Sequence, residues 1–580
     1  MTVRMVDSGN GIPAATQLVI DALRRDIDVE MLDLRSVRVP RSERRRIERD
    51  LRRFSHTPEP LVRSWEIAAK VLRATRPGDV VVFNDRGGPG GVFAQMQTTK
   101  PVEQQRSVWT VAGDGFALET MLVAGTIEHV EMPIASAIDW ELVQYRESAV
   151  VLAAAAAAAE ILAELGVNAH LVDIAEGTRG VGSHQPVERV RAPGPVSRRN
   201  RSGDVLRAAA SIPSVSVIVS ETDVPDLVWN GTTWDSLGGV RAVLGDRVRR
   251  TDEAGKPPDI VVLGDPLVAP DREVAAWRDA GVRITSTQGS VAAGLWNEID
   301  TWETVDDLAE LLGGAPGQPR PVSHVWDRSL KQVPSDSSRA RRVSVGVPVF
   351  RNITYLDACL DSIVNQSEPP FEVLVIDDGS ESAAVGAALA LWTERAPHLI
   401  RVLSQSNRGV CVARNRMIDA MLGDAFVLVD QDDTLDTDFI RTTAQALRND
   451  RSLWAAATWT EFFGDYQGIE AKPPFDQRVG MRENPIVSTA ALVDMRVRAE
   501  RISFAPDLAF LYCEDWHYWS QIVAAGGRVG LVPEPLVRHR VHQASGGFQR
   551  TELAHQIGTA RATGPLRCVP DPANASEPRT

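Results

Sequence analysis

The feature that most constrains this chain is a wholly apolar run, Ala425–Val429 (AFVLV), that passes without a spacer into Asp430-Gln431-Asp432-Asp433. A short apolar, β-branched run of this kind reads as a buried strand. Three carboxylates at its lip repel one another unless a cation sits among them. Hard oxygen ligands together with a diphosphate suit Mg²⁺ or Mn²⁺. The competing reading is an acidic surface turn, but a surface turn has no reason to follow a strand with no polar face.

Two further apolar runs frame the same region. Val343–Val349 (VSVGVPV) reads as a buried strand broken at Pro348 and leading to Phe350, with a helix expected over Tyr355–Gln366. Phe371–Ile376 (FEVLVI) ends in Asp377-Asp378-Gly379-Ser380. Ligands of open α/β sheets bind outside the carboxyl ends of the strands, so these lips are where chemistry is expected. Asp377 and Asp378 can accept hydrogen bonds from a base or a ribose; Asp and Ser are equally good helix caps. Asn407, Arg408 and Arg414 follow on a turn and an apparent helix. The arginines are candidate diphosphate contacts or ordinary surface charges.

Further along, Glu514 and Asp515 sit among aromatic residues (FLYCEDW). Such surroundings raise a carboxyl pKa by desolvation and suit a general base; a structural acid paired to an arginine is the alternative. A helix is expected over Trp516–Ala525 and a short strand over Val529–Val532. Arg540 and His542 alternate with Val541, so in an extended segment both face one side. His542 is a candidate metal ligand and Arg540 a candidate phosphate contact. The polar loop Ala471–Asn484 (AKPPFDQRVGMREN) is expected on the acceptor side and suggests a hydrophilic acceptor.

The remaining chain is too long for one core, and alternation of strand and helix signals implies parallel α/β layers. Strands are expected at Val3–Val6, Val80–Phe83, Val215–Val219 and Ile260–Leu263. Helices are expected at Glu66–Arg73, Ala153–Leu165 and Glu273–Asp279, with Val150–Ala159 as part of a buried helix. Glycine-rich turns follow two of the strands (Ser8–Gly11 and Asn84–Gly91) and would let a backbone approach a ligand. A Pro-, Ser- and Arg-rich linker is expected over 313–342, a weaker break over 178–203, and a disordered tail over 563–580. A net charge of −14 argues against a nucleic-acid partner. Four cysteines without a CxxC pair, and the lack of an apolar run of membrane length, lead to an expectation of a cytoplasmic protein that meets the inner membrane face only through its acceptor.

Five blocks, VSVGVPVFRNITYLDACLDSIVNQSEPPFEVLVIDDGS, SNRGVCVARN, VLVDQDD, CEDWHYW and VRHRVH, occur in the order and spacing of inverting glycosyltransferase family 2, and this part of the chain resembles that family over about 220 residues. The resemblance implies a GT-A fold for 343–562 and a divalent metal, Mn²⁺ or Mg²⁺. It implies a nucleotide-sugar donor, with UDP the expected nucleotide and GDP and dTDP as alternatives, and a glycan, lipid-linked or protein hydroxyl as acceptor. By the same resemblance Pro348, Phe350, Asp377, Asp378, Asn407, Arg408, Arg414, Asp430 and Arg540 would bind the donor, and Asp430, Asp432 and His542 the metal. Asp515 would be the base and Glu514 its partner. Phe350-Arg351 stand where the family usually has Tyr-Asn. The N-terminal order VVVFNDRGGPGG, VWTVAGDG and Glu147 resembles the first half of a GT-B glycosyltransferase of the sucrose-synthase-like class, with Ala112 where that class carries a histidine. That resemblance implies Rossmann-like domains over 1–185 and 186–312, serving acceptor binding or assembly. Two working transferases in one chain, or a glycan-binding scaffold in the N-terminal half, are the alternatives.

Overall fold

A computed structural model describes most of residues 2–37, 59–312 and 342–542, together with 559–568. Within 59–312 the larger segments left out are 175–186, 193–201, 220–226, 237–247 and 251–257. The linker expected over 313–342, apart from Arg342, and the turn Ser8–Gly11 lie outside the described residues. So does most of the expected break over 178–203.

The chain packs as two units, and neither is continuous in sequence. The first comprises Met1–Val37, Asp79–Gly90 and Ser107–Leu330. It holds two wholly parallel six-stranded sheets. The first sheet has β1 (Val3–Asp7), β2 (Val29–Asp33), β3 (Val80–Asn84), β4 (Ser107–Ala112), β5 (Val150–Ala153) and β6 (His170–Leu171), in the order β2-β1-β3-β4-β5-β6. The second has β7 (Arg189–Ala192), β8 (Ser216–Val219), β11 (Val248–Arg250), β12 (Ile260–Leu263), β13 (Arg283–Thr287) and β14 (Asp300–Trp302). Its order is β11-β8-β7-β12-β13-β14, and a small hairpin, β9 (Leu227–Trp229) and β10 (Trp234–Ser236), stands apart. Val150–Ala153, expected within a helix, is instead the fully buried strand β5, and the helix begins at Ala156. A parallel strand covered on both faces is apolar throughout, so its sequence does not alternate and is not separable from a buried helix by pattern.

The second unit comprises Arg38–Gly78, Gly91–Arg106 and Lys331–Thr580. Its sheet contains β15 (Val343–Val349), β16 (Glu372–Asp378), β17 (Ile400–Gln405), β18 (Ala425–Leu428), β19 (Thr434–Leu435), β20 (Leu453–Gly464), β21 (Gly468–Glu470), β22 (Leu492–Asp494) and β23 (Arg528–Val541). The order is β17-β16-β15-β18-β22-β20-β23-β19, with β21 beside β20. The first four strands are parallel; β22 runs antiparallel to β18 and β20. Alternate side chains fill two cores, one on each side. Val373, Val375 and Val427 pack into one, and Leu374, Ile376, Phe426 and Leu428 into the other. Because β16 and β18 flank β15, the order reverses at β15, the point of an open α/β sheet at which ligands bind.

Two departures from the sequence reading matter. Instead of a short strand over Val529–Val532, β23 runs for 14 residues and carries Arg540. Pro533 and Pro535 interrupt its sequence pattern, and the pairing with β20 absorbs them as register shifts around Trp459. The expected disordered tail begins too early, because Pro565–Cys568 forms a 3₁₀ turn with Leu566 fully buried. Two segments drawn from the first expected domain also belong to this unit. There Asn449 donates its side-chain amide to the carbonyls of Thr98 and Lys100, at 2.5 and 2.8 Å.

Candidate active site

The site is built on the carboxyl ends of β15, β16 and β18. At the β16 lip, Asp377 Oδ1 accepts from Ser380 N at 2.9 Å, and Ser380 Oγ accepts from Arg351 N at 2.8 Å. Asp378 is buried, and its oxygens accept from Gln405 Nε2, Arg408 N and Gly409 N at 2.8–2.9 Å. Its carboxylate thus holds the turn that starts the helix Val410–Ala420, while the side chains of Asn407 and Arg408 stand exposed beside it. Gly379 has φ +70°, and a Cβ there would lie 2.4 Å from Asn407 N, so the turn requires glycine.

At the β18 lip the four residues of DQDD take separate directions. Asp430 Oδ1 accepts from Arg414 at 2.7 Å, and Gln431 Oε1 accepts from Phe350 N at 3.1 Å, tying the β18 lip to the β15 lip beyond Pro348. Asp432 Oδ2 lies 2.9 Å from His542 Nε2. Arg540 donates Nε to the Asp432 carbonyl at 3.2 Å, and its guanidinium stacks over Tyr355 and Phe463. Arg540 and His542 therefore do face one side of the strand end, as their alternation implies.

Asp433 turns inward. Its fully buried carboxylate accepts from Arg540 N at 3.0 Å, from His539 Nδ1 at 2.9 Å and from Ser488 Oγ at 3.2 Å. Burial raises the Asp433 carboxyl, and the contact with His539 opposes that rise. Burial alone would lower the His539 imidazole, but Asp433 outweighs it and holds it up at about 9. The Cys359 thiol, buried behind the same cluster, is pushed well above its ordinary range by burial and then by the neighbouring carboxylates.

Among the described residues, no set of three His, Cys, Asp or Glu side chains closes into a metal cage. Asp432 and His542 nonetheless fit a metal shared with a ligand. Their 2.9 Å separation matches two adjacent corners of an octahedron with metal–ligand bonds of about 2.1 Å. Mg²⁺-type sites commonly take one or two protein ligands and fill the rest with phosphate oxygens and water.

Arg414 joins this lip to the acid pair. Its guanidinium is buried, donating one N–H to Asp430 and another to Glu514 Oε1 at 3.0 Å. Glu514 and Asp515 open the helix Glu514–Ala524, where the positive end of the dipole favours acids. Tyr512, just before them, is exposed and held at φ 51°. Burial and then the Glu514 charge raise the Asp515 carboxyl to about 7, with the Trp516 N–H and Arg414 pulling the other way. Sequence reading did not single out Gln431, His539 or Asn484. Their partners lie 81, 106 and 31 residues away, and no local pattern signals such contacts.

The glycine turn Asn84–Gly91 and the glycines Gly113 and Gly115 after β4 are occupied by the chain itself. Asp85 Oδ2 accepts from Gly113 N, Gly115 N and the Tyr145 hydroxyl at 2.8–3.0 Å. Glu141 accepts from Gly87 N, Phe116 N and Ala117 N at 2.6–2.9 Å, two of them from the first turn of the helix Phe116–Ala124. Both carboxylates are fully buried. Burial and then Asp85 raise the Glu141 carboxyl to about 8.

Residues 344–493 match the family model described as glycosyl transferase family 2, which marks a family 2 glycosyltransferase domain within the mixed α/β second unit. The chain is 36% identical over 101 residues to glycosyltransferase GlyA of Streptococcus pneumoniae, covering 17% of this chain and 14% of GlyA. It is 26% identical over 132 residues to the hyaluronan synthase of Pasteurella multocida, covering 23% and 13%. It therefore spans about a seventh of each of these relatives. Among solved structures, Staphylococcus aureus TarS 1–349 in complex with UDP-GlcNAc is similar over 36% of this chain and 61% of that one, with 18% identity and a TM-score of 0.31. No helix among the described residues is long and apolar enough to cross a membrane.

Proposed function

We propose that the C-terminal domain transfers a sugar from a nucleoside-diphosphate sugar, UDP foremost, to the hydroxyl of a hydrophilic glycan acceptor with inversion at the anomeric carbon. The observation that carries this reading is the single buried guanidinium of Arg414, which binds Asp430 on the DQDD lip and Glu514 beside Asp515. It joins a donor-side carboxylate set to an acid pair 84 residues further on, so both ends of one displacement have a place.

Asp432 and His542, with Asp430 alongside, would hold a divalent ion. Bound there, Mn²⁺ or Mg²⁺ would supply Lewis-acid stabilisation of the leaving diphosphate. Pro348, Phe350, Asp377, Asp378, Asn407, Arg408 and Arg540 would line the donor's path along the β15 and β16 lips. The stacked guanidinium of Arg540 adds positive charge next to Asp432. Asp515 would take the proton of the acceptor hydroxyl while its oxygen bonds to C1 of the sugar and the bond from C1 to the diphosphate oxygen breaks. A carboxyl raised to about 7 is matched to that task near neutral pH. In the first unit, carboxylates already fill the glycine turn Asn84–Gly91 and cap Gly113 and Gly115, which supports an acceptor-binding or assembly role for the domains proposed at 1–185 and 186–312 over a second transferase.

The test is release of UDP from UDP-glucose, UDP-galactose and UDP-N-acetylglucosamine by the full chain with Mn²⁺. Asp515→Asn is expected to lower the rate by about 10²–10⁴ and to leave the affinity for UDP unchanged. An Asn variant that turns over like the parent would end the assignment of the base.

A further inference from the structure

We propose that Asn484 is the positioning residue for Asp515: its side-chain amide donates to Oδ2 of that carboxylate and sets the direction from which it meets an acceptor hydroxyl. The inference rests on the reading of Asp515 as the base.

Asn484 Nδ2 lies 3.0 Å from Asp515 Oδ2, and Asn484 Oδ1 accepts from Ile486 N at 3.1 Å. A flipped amide would set its N–H₂ against the Ile486 N–H and its carbonyl against a carboxylate, so the network admits one orientation. The other Asp515 oxygen, Oδ1, accepts from Trp516 N at 2.7 Å. Each oxygen thus has one fixed donor and keeps lone-pair capacity for a proton.

The segment carrying Asn484 is itself fastened to the helix of the acid pair. The helix Gln477–Arg482 is capped by Asp476 Oδ1, which accepts from Val479 N at 2.8 Å. Trp516, the residue after Asp515, donates its indole N–H to Gly480 O at 2.8 Å. A Cβ at Gly480 would meet the Phe475 ring at 2.6 Å, so the packing of Phe475 on this segment depends on glycine. Lys472 pairs with both Glu470 and Glu483, the residue before Asn484. A surface loop with no such task would not need its backbone tied to the residue next to a half-buried acid.

The charged and titratable groups around Asp515 are Glu514, which raises its carboxyl, Arg414, which lowers it, and Cys411. Burial and the neighbouring acids push the Cys411 thiol up to about 12, so it stays neutral over the working range. Against that background the Asn484 donor favours the ionised carboxylate, and its loss moves protonation to higher pH.

The experiment follows UDP release from UDP-glucose with Mn²⁺ and water as acceptor, on the full chain, between about pH 5.5 and 9. Asn484→Ala is expected to raise the midpoint of the acidic limb by about half to one pH unit. Asn484→Asp, which replaces the donor with an anion, is expected to raise it further, with the affinity for UDP unchanged in both. A merely structural role would lower the rate and the melting temperature in both variants without moving the limb. That result overturns the inference. Asn484→Ala, Asp515→Asn and the double variant, compared by melting temperature, test the contact without turnover. Non-additivity is expected at about pH 8.5 and should shrink at about pH 5.5 as the carboxyl takes up a proton; additivity at both would contradict the proposal. If Asp515→Asn is as active as the parent, the base reading itself fails. If it is inactive while the Asn484 variants keep the parental limb, only the positioning role fails.

Discussion

Both units of this chain gather acidic side chains at the ends of parallel strands, yet Asp85 and Glu141 in the first and Asp430 and Asp432 in the second do opposite things. In the first unit, Asp85 and Glu141 are fully buried and accept from six donors, five of them backbone N–H groups. The concavities that could receive an anion are filled by the protein's own carboxyl groups. In the second unit, Asp430 and Asp432 keep 33% and 28% of their side chains exposed, facing Arg414 and His542. One set of carboxylates closes turns; the other stays partly exposed. A glycine turn after a strand says where chemistry is possible, and the fate of its N–H groups says whether any is left to do.

Predictions separate the two regions, beginning with the strongest effect after loss of the base. Asp433 belongs to the open site by sequence but to the closed class by burial. Asp433→Ala would leave His539, the Arg540 N–H and Ser488 without their acceptor. It is expected to cost about 2–3 kcal/mol by chemical denaturation, below the full value for a buried pair because His539 is 27% exposed. A neutral outcome would place Asp433 with its exposed neighbours. Glu141→Gln puts an N–H₂ against backbone N–H donors and should cost about 1–3 kcal/mol without changing nucleotide affinity. A change in nucleotide affinity with stability intact would show that the N-terminal turns are not sealed.

The smallest effect is in pH dependence. Glu141 is raised above its unfolded value, so between about pH 4.3 and about 8 the folded state holds more proton than the unfolded state. Its contribution to stability is therefore complete below the unfolded pKa and is lost as pH rises through about 8. His539 acts in the same sense between about 6.5 and about 9. Melting temperature should fall on raising the pH from about 6 to about 9. Glu141→Gln should flatten the lower part of that slope, and a slope unchanged in this variant would assign the dependence elsewhere.

Much of the second unit was legible in sequence because its strands are apolar runs with polar lips. Val343–Val349 is a strand with those bounds, and Ala425–Leu428 differs from the expected run by one residue. What did not show was the use to which each polar group is put. Arg414 reads as a diphosphate contact or an ordinary surface charge, but it is buried between two carboxylates, the second 100 residues away. Asp378 reads equally as a ligand-facing acid or a helix cap, and its oxygens accept from the turn at 405–409 that starts the next helix. Long-range pairings of this kind, like Asp433 with His539, leave no periodic trace. The alanine-rich run from Val150 was misread for a different reason: burial on both sides removes the alternation that distinguishes strand from helix.

The most direct test of the contrast is calorimetric binding of UDP to the full chain, with Mn²⁺ and with a chelator, in the parent, in Asp432→Ala and in Glu141→Gln. The account predicts Mn²⁺-dependent binding in the parent, loss of it in Asp432→Ala, and parental affinity in Glu141→Gln at a temperature where that variant is folded. Binding that ignores Mn²⁺ and Asp432 but falls in Glu141→Gln would move the nucleotide site to the first unit and contradict it.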